Sequence, residues 1–323
     1  MWPRVVLVLV SISLAILAAE ALARLFNIGS EFTRLIPLQG VPTRVVDGVV
    51  LWSDAQPRAS VEDVRRVAHN ARAFKILGLG DSVMYGVSQP PEQTYLEQAH
   101  RILAGRSTRP VEILNLAVPG YNTVQENAVY KEIENEIQPD LVLVHYWADD
   151  NHQYRVAGGH VIDAGDISED GHFVIRALPL PPTVSDFLLL HSRLYDLLTH
   201  AVIALHGSDA EPFADWTSVS TPLQEIQQRA QRAGGRMVIL ASPRFNAPSP
   251  QSPSDLAVLQ EFASAHGIEL IDLTEWLGDV ETKQVAIDAC CHFNAEGHRR
   301  IGERLADYLL QHDLKDADGG NPS

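Results

Sequence analysis

Residues 75–86 read Lys75-Ile76-Leu77-Gly78-Leu79-Gly80-Asp81-Ser82-Val83-Met84-Tyr85-Gly86. A short apolar run that ends in a glycine-bearing turn reads as a strand buried on both faces. Four more such runs follow: Val111–Leu114, Leu141–His145, Met237–Ala241 and Glu269–Ile271. Between them, apolar residues recur at helical spacing over Gln93–Leu103, Val124–Ile137, Leu223–Ala233 and Leu256–His266. A last helical pattern covers Ala295–Leu310. Strand and helix in alternation predict parallel crossovers, hence an α/β fold with a doubly wound, five-stranded parallel sheet. Ligands of such sheets bind beyond the carboxyl ends of the strands. The residues just after each run are therefore the candidates for function.

The composition narrows the classes. The chain has 323 residues and a formal net charge of −16, which argues against nucleic acid as a partner, because phosphates need a basic footprint. With 46% hydrophobic and 20% charged residues it fills a globular core, and disorder as the main state is excluded. Two adjacent cysteines, Cys290 and Cys291, exclude a disulfide scaffold and a cysteine zinc cluster. They read either as a vicinal disulfide in an oxidising compartment or as two small residues shaping a turn.

Val5 to Ala19 is uncharged and almost wholly apolar, with Arg4 before it and Glu20 after it. If Glu20 sits at the interface, Ala21-Leu22-Ala23 extends the span toward the length a bilayer needs. Residues 1–28 read as an uncleaved signal anchor. The alternative is a cleaved signal peptide, since Ala21-Leu22-Ala23 has a small-x-small pattern. Both export the rest of the chain. Residues 29–69 form an N-terminal extension, 70–314 the main domain, and 315–323 a polar tail.

Residues 146–221 interrupt the alternation and exceed a normal connection, so they read as an inserted lid or pocket wall. Within them, a hairpin is expected over His160–Leu178 around Glu169-Asp170-Gly171, and one helix over Ser185–Leu205. Asp166-x-Ser168-x-Asp170-Gly171 resembles the start of a calcium loop, but Ala177 stands where a bidentate Glu belongs. A solvated turn is the better reading.

Ser82, at a strand-to-turn junction, lies where a helix start offers N–H groups to an oxyanion. The structural alternative is a plain helix cap by Asp81 or Ser82. The glycine spacing is not Gly-x-Gly-x-x-Gly and no Gly-Lys-Ser/Thr follows, so a nucleotide loop is rejected. Near the other end, Asp288-Ala289-Cys290-Cys291-His292-Phe293-Asn294 precedes the last helix. An imidazole there can take the proton of Ser82, and a carboxylate can hold its tautomer. A surface loop capped by Asn294 is the alternative.

These blocks, in order and at strand ends, resemble the SGNH subgroup of the GDSL hydrolases, in particular exported bacterial members with an N-terminal anchor. The resemblance covers roughly residues 70–312. Gly80-Asp81-Ser82 matches the first block, with Ser82 as nucleophile. Asn115-Leu116-Ala117-Val118-Pro119-Gly120 matches the second, which implies that the Gly120 N–H joins that of Ser82 in the oxyanion hole. Asp288 to His292 resembles the last block and implies His292 as base and Asp288 as its orienting acid. The family fold implied is a flavodoxin-like three-layer sandwich. No metal or organic cofactor is implied.

Two departures stand out. Where the family's third block has an oxyanion-donating Asn, this chain has Asp149, and Asn151 two residues later is the possible substitute. Three residues, not the family's two, separate Asp288 from His292, so a backbone carbonyl is the alternative orienting group. Arg244, after the fourth strand, reads as a substrate-binding residue or a surface ion-pair residue. Trp147 reads as lining an acyl or sugar site or as packing beneath 146–221.

The expected function is hydrolysis, or transfer, of an acyl group on an extracytoplasmic ester such as an acylated envelope carbohydrate or lipid. The alternative is a non-catalytic binding module of the cell envelope. The expected partners are a small-molecule or polysaccharide ester and the membrane, and not nucleic acid. The expected location is membrane-anchored, with the catalytic domain in the periplasm or at the cell surface.

Overall fold

The computed structural model describes residues 2–26, 28, 34–37, 43–52, 58–147, 154–157, 160–163, 180–206, 216–242, 245, 255–288 and 291–314. In chain order the elements are α1 (Trp2–Leu25), β1 (Arg34–Pro37), β2 (Thr43–Val46), β3 (Val49–Trp52), α2 (Val61–His69), β4 (Phe74–Leu79), α3 (Ser82–Tyr85), α4 (Tyr95–Arg106), β5 (Val111–Asn115), α5 (Thr123–Ile133) and β6 (Leu141–Tyr146). They continue as β7 (Tyr154–Ala157), β8 (His160–Asp163), α6 (Pro182–His191), α7 (Arg193–His206), α8 (Thr217–Arg232), β9 (Arg236–Ala241), α9 (Asp255–His266), β10 (Glu269–Asp272), α10 (Leu273–Leu277), α11 (Thr282–Val285) and α12 (Ala295–His312). The chain divides into two compact units: Met1–Val41 with His152–Asp215, and Pro42–Asn151 with Trp216–Ser323.

The larger unit is built on a five-stranded sheet in the order β10-β9-β6-β4-β5 with every pairing parallel. These are the five apolar runs of the sequence. The order is that of a flavodoxin-like sheet, whose switch point lies where the chain reverses direction across β4. Alternate residues of one strand face opposite layers. Leu141, Leu143, Val238 and Leu240 share a core with Leu96, Leu103, Ile301, Leu305 and Leu309 of α4 and α12. Val142, Val144, Met237 and Ile239, the alternate positions, are also buried. They face the layer that holds α5 and α8. At about 25 cal/mol per Å² of apolar surface, this two-sided burial is the main stabilising term of the sheet.

The extension before β4 adds a hairpin. β2 and β3 pair antiparallel through Asp47-Gly48, both at positive φ, +49° and +85°. That is the turn which matches strand twist and which Asp-Gly favours. The hairpin buries Leu51 and Trp52. The Tyr121 hydroxyl donates to the Trp52 carbonyl at 2.7 Å, and Gln125 Nε2 donates to the Val50 carbonyl at 3.2 Å.

In the smaller unit, β1, β8 and β7 form an antiparallel sheet in that order. β8 is the central strand, with both edges already paired. The expected hairpin over His160–Leu178 is thereby corrected, since His160–Asp163 pairs with β1 and β7. Glu169-Asp170-Gly171 lies outside the described residues. The expected single helix over Ser185–Leu205 is two helices, α6 and α7. The break falls at Ser192, which is extended (φ −136°, ψ 114°) and whose hydroxyl accepts the Tyr195 N–H at 3.1 Å. A serine N-cap of this kind starts a new helix. α1 packs beside α7 at its carboxyl end, where Ala23 is buried. Its 23-residue apolar stretch, Pro3–Leu25, is the one helix among the described residues long and apolar enough to cross a membrane.

Candidate active site

Ser82 is the first residue of α3, directly beyond β4. The Asp81 carboxylate caps this short helix by accepting the Val83 N–H at 2.8 Å. Gly80 permits the tight approach. A Cβ there would stand 2.8 Å from Met84 Cβ and 3.1 Å from His145 Cβ, so a larger residue would displace α3. At the far end, Gly86 closes the helix at φ +74°.

His292 lies between α11 and α12. Its loop is tied at both ends. Ala286 bridges Phe293, the Ile287 N–H donates to the His292 carbonyl at 3.0 Å, and the Asn294 N–H donates to Val285 at 2.9 Å. The Asn294 side chain then caps α12 by accepting the N–H groups of Glu296 and Gly297 at 3.0 Å. Phe293, fully buried, fixes the loop to the core. The cap and the imidazole thus coexist in one loop.

These elements bring Ser82 Oγ to 2.8 Å from His292 Nε2. On the other side of the ring, Nδ1 pairs with Asp288 Oδ2. A carboxylate at Nδ1 holds the proton there and leaves Nε2 as the acceptor for the Ser82 hydroxyl. Asp288 Oδ1 also accepts the N–H groups of Cys291 and His292, at 3.0 and 3.2 Å. Burial alone would raise the Asp288 carboxyl. The bonds from the His292 ring and the two amides outweigh it and hold the group at about 2.

Cys291 is buried and disulfide-bonded, and the chain has one other cysteine, Cys290, which lies outside the described residues. Asp288, Cys291 and His292 converge as ligand-type groups, but a sulfur in a disulfide offers no thiolate to a metal.

Gly120 follows β5 at φ +77°, a conformation that favours glycine. Its loop runs along the end of β4, because Leu116 N–H donates to Gly78 and Val118 N–H to Gly80. Asn115 ties the loop to the helix of Ser82: its Nδ2 donates to the Met84 carbonyl at 3.2 Å and its Oδ1 accepts the Ala117 N–H at 3.1 Å. The amides of Ser82 and Gly120 donate to no acceptor among the described residues.

Three residues that the sequence did not single out as a group support this site from below. The Tyr95 hydroxyl meets His145 Nδ1 at 2.8 Å, the Tyr95 N–H donates to His298 Nδ1 at 3.3 Å, and the Tyr95 and His298 rings stack at 5.7 Å. Burial pushes His145 down to about 3, with the charge of His298 adding to it. Burial pushes His298 down to about 4, with Arg58 and His292 adding to it. His298 is thus a neutral core residue, bonded away from Ser82.

Arg58, in the N-terminal extension, donates to the carbonyls of Tyr85, Gly86 and Gln89 at 3.1, 3.1 and 2.9 Å. It also lies 4.1 Å over the Tyr85 ring, and so clamps the turn after α3. No motif marks it in the sequence.

Glu126, on α5, is fully buried, and both of its carboxyl oxygens lack a hydrogen-bond partner among the described residues. Burial, with the charge of Asp81 adding to it, pushes this carboxyl well above the usual range. Trp147 is 8% exposed and packs in the apolar core beside α4 and α12. Asp149, Asn151 and Arg244 lie outside the described residues.

The model of the GDSL-like lipase/acylhydrolase family matches residues 79–300. The chain belongs to the GDSL-like lipase/acylhydrolase family. Among proteins with curated descriptions, none matches it by sequence. Solved structures with a similar fold include TesA, at 14% identity over 73% of this chain and 98% of that one, with a TM-score of 0.47. A lipolytic protein of the G-D-S-L family from Veillonella parvula is 17% identical over 75% and 100% of the two chains, with a TM-score of 0.43. The esterase EstA from Pseudoalteromonas sp., in a structure inhibited by monoethylphosphonate, is 11% identical over 74% and 97%, with a TM-score of 0.46.

Proposed function

We propose that this GDSL-family hydrolase is a serine esterase tethered to a membrane and acting outside the cytoplasm. One observation carries the catalytic part: the hydrogen-bonded line from Ser82 Oγ to His292 Nε2, and from His292 Nδ1 to Asp288. In this reading Ser82 attacks the acyl carbonyl and His292 takes its proton. The N–H groups of Ser82 and Gly120 receive the oxyanion. The family's side-chain donor position falls on Asp149, with Asn151, two residues later, as the alternative donor. His292 then returns the proton to the leaving alcohol. Water resolves the acyl-enzyme in hydrolysis, and a sugar hydroxyl resolves it in transfer. Asp288 keeps the ring in the tautomer that accepts from Ser82. The substrate class is an acylated envelope carbohydrate or lipid.

Three features support the location. The apolar stretch Pro3–Leu25 is 23 residues, about 35 Å of helix against a hydrocarbon core of about 30 Å. Arg4 precedes its uncharged run, which favours an inside N-terminus. Cys291 is disulfide-bonded, a state that persists in oxidising compartments.

The test is a fluorophosphonate probe on the full-length protein, with peptide mapping of the label, followed by short, long and sugar-borne acyl esters as substrates. Labelling at Ser82 with turnover of at least one ester class is expected. An unlabelled, inactive protein would instead be the non-catalytic binding module.

A further inference from the structure

Within the smaller unit, the carboxyl end of α1 is locked to the junction of α6 and α7. The Glu20 carboxylate accepts the Ser192 hydroxyl at 3.0 Å and the N–H groups of Arg193 and Leu194 at 3.0 and 2.9 Å. Arg24 completes the lock. Its Nε donates to Glu20 at 2.6 Å and its Nη2 to the His191 carbonyl at 2.7 Å. Glu20 thereby supplies the anionic cap that the amino end of α7 needs. Cleavage after Ala21-Leu22-Ala23 would remove that acceptor and leave those two N–H groups without it.

The lock also fixes where α6 lies. Glu20 and Arg24 are in the last two turns of the apolar helix, so an inserted α1 puts them at the interface and holds Ser192 there. A basic residue at that level suits lipid phosphates. α6 has two unlike faces. Ser185 and Leu189 are buried, and Ser185 Oγ meets the Tyr195 hydroxyl of α7 at 2.9 Å. The opposite stripe, Val184 and Phe187, is 43% and 59% exposed. Phe187 is little more than one turn from Ser192, about 5–8 Å along the helix. An aromatic and a β-branched residue, each about half exposed and Phe187 with its ring 4.6 Å from that of His191, stand at that distance from the anchor's exit, where an interfacial helix presents its apolar side to lipid.

We propose that α1 is retained as an uncleaved anchor and that α6 lies in the outer interface of the bilayer, with Val184 and Phe187 inserted into lipid. The proposal rests on the anchor reading above and adds a second membrane contact to it.

The full-length protein is reconstituted into phosphatidylcholine–phosphatidylglycerol vesicles and washed with carbonate. Phe187→Cys and, separately, Val184→Cys are labelled with an environment-sensitive dye. Wild-type protein taken through the same labelling is the blank, and the dye conjugated to glutathione is the aqueous reference. Both positions should be quenched by shallow doxyl-labelled lipids and several-fold more slowly by iodide than the reference. If the washed vesicles keep the protein but iodide reaches both dyes as freely as the reference, the interfacial helix is wrong and the anchor stands. If the protein washes off, or the mature chain begins near residue 24, the anchor and the proposal fail together. Cross-linking between the introduced thiols of two copies would assign this stripe to self-association and overturn the lipid contact.

Discussion

Asp288 holds His292 at two points. Oδ2 pairs with ring Nδ1, and Oδ1 accepts the backbone N–H of the same residue at 3.2 Å. The amide of Cys291 binds the same Oδ1. Three residues separate Asp288 from His292, and the ring still reaches Ser82. One group sets both the tautomer and the place of the imidazole.

Asp288→Asn should leave the fold intact and lower kcat. The amide keeps an oxygen for the backbone N–H groups but can present NH₂ to Nδ1, which selects the wrong tautomer. The equivalent change in a serine-protease triad costs about 10⁴ in kcat. A loss of at least about 10² is expected here, and less than for Ser82→Ala. Turnover of a p-nitrophenyl ester, with circular dichroism as the fold check, decides it. Unchanged kcat would remove Asp288 from the mechanism.

Ser82→Ala and His292→Ala should each abolish turnover, and the double variant should be little worse than either. Groups that act as one unit are non-additive, with losses near a million-fold when the nucleophile goes. His298→Ala should not mimic His292→Ala in kcat, because His298 bonds to Tyr95 and not to Ser82. Additive losses in the double variant would mean that Ser82 and His292 act separately.

The sheet was legible because its strands are compact runs rich in Leu, Ile and Val; β4, β6 and β9 are buried nearly throughout, while the edge strands β5 and β10 are largely part-buried. The Ser82 block was legible because it stands just beyond β4 beside a glycine turn, and the His292 block because it directly precedes the Asn294 cap of the last helix. Val45-Val46-Asp47-Gly48-Val49-Val50 carries a local hairpin signal. What it supports, Tyr121 in the loop of Gly120, is distant in sequence. The break at Ser192 interrupts an apolar stretch without Gly or Pro, and part of its cap comes from Glu20, 172 residues away. His145 sits inside an apolar run, and nothing local pairs it with Tyr95 or His298. Arg58 is one arginine among many until the turn it clamps is seen.

Stability should fall as pH drops from about 6.5 toward 4. His298 is held at about 4 in the fold against 6.5 ordinarily, so the unfolded chain binds its proton first. Stability is fully present above that window and is lost across it, by about 3 kcal/mol for this one buried group. His145, held at about 3, adds to the same limb. Urea unfolding of wild type and His298→Gln at several pH values checks it. The variant's stability should decline less steeply between pH 6.5 and 4. Parallel slopes would show that His298 is not held neutral.

Glu126 gives the opposite limb. Its carboxyl, raised by burial and by the charge of Asp81, keeps its proton in the fold at pH values where the unfolded chain has lost it. Stability from this group is therefore fully present below about 4.5 and declines as pH rises, by about 1.4 kcal/mol per unit, until the folded group ionises. The neutral acid also spares Asp81, whose carboxylate caps the helix of Ser82, a like charge in a site with little water. Glu126→Gln has nearly the same shape and no proton to lose. It should keep kcat near wild type at pH 7 and gain stability relative to wild type as pH rises from 5 to 9, read as urea midpoints. A stability difference that does not change with pH would mean that Glu126 is ionised in the fold, and its burial without partners would then need another explanation.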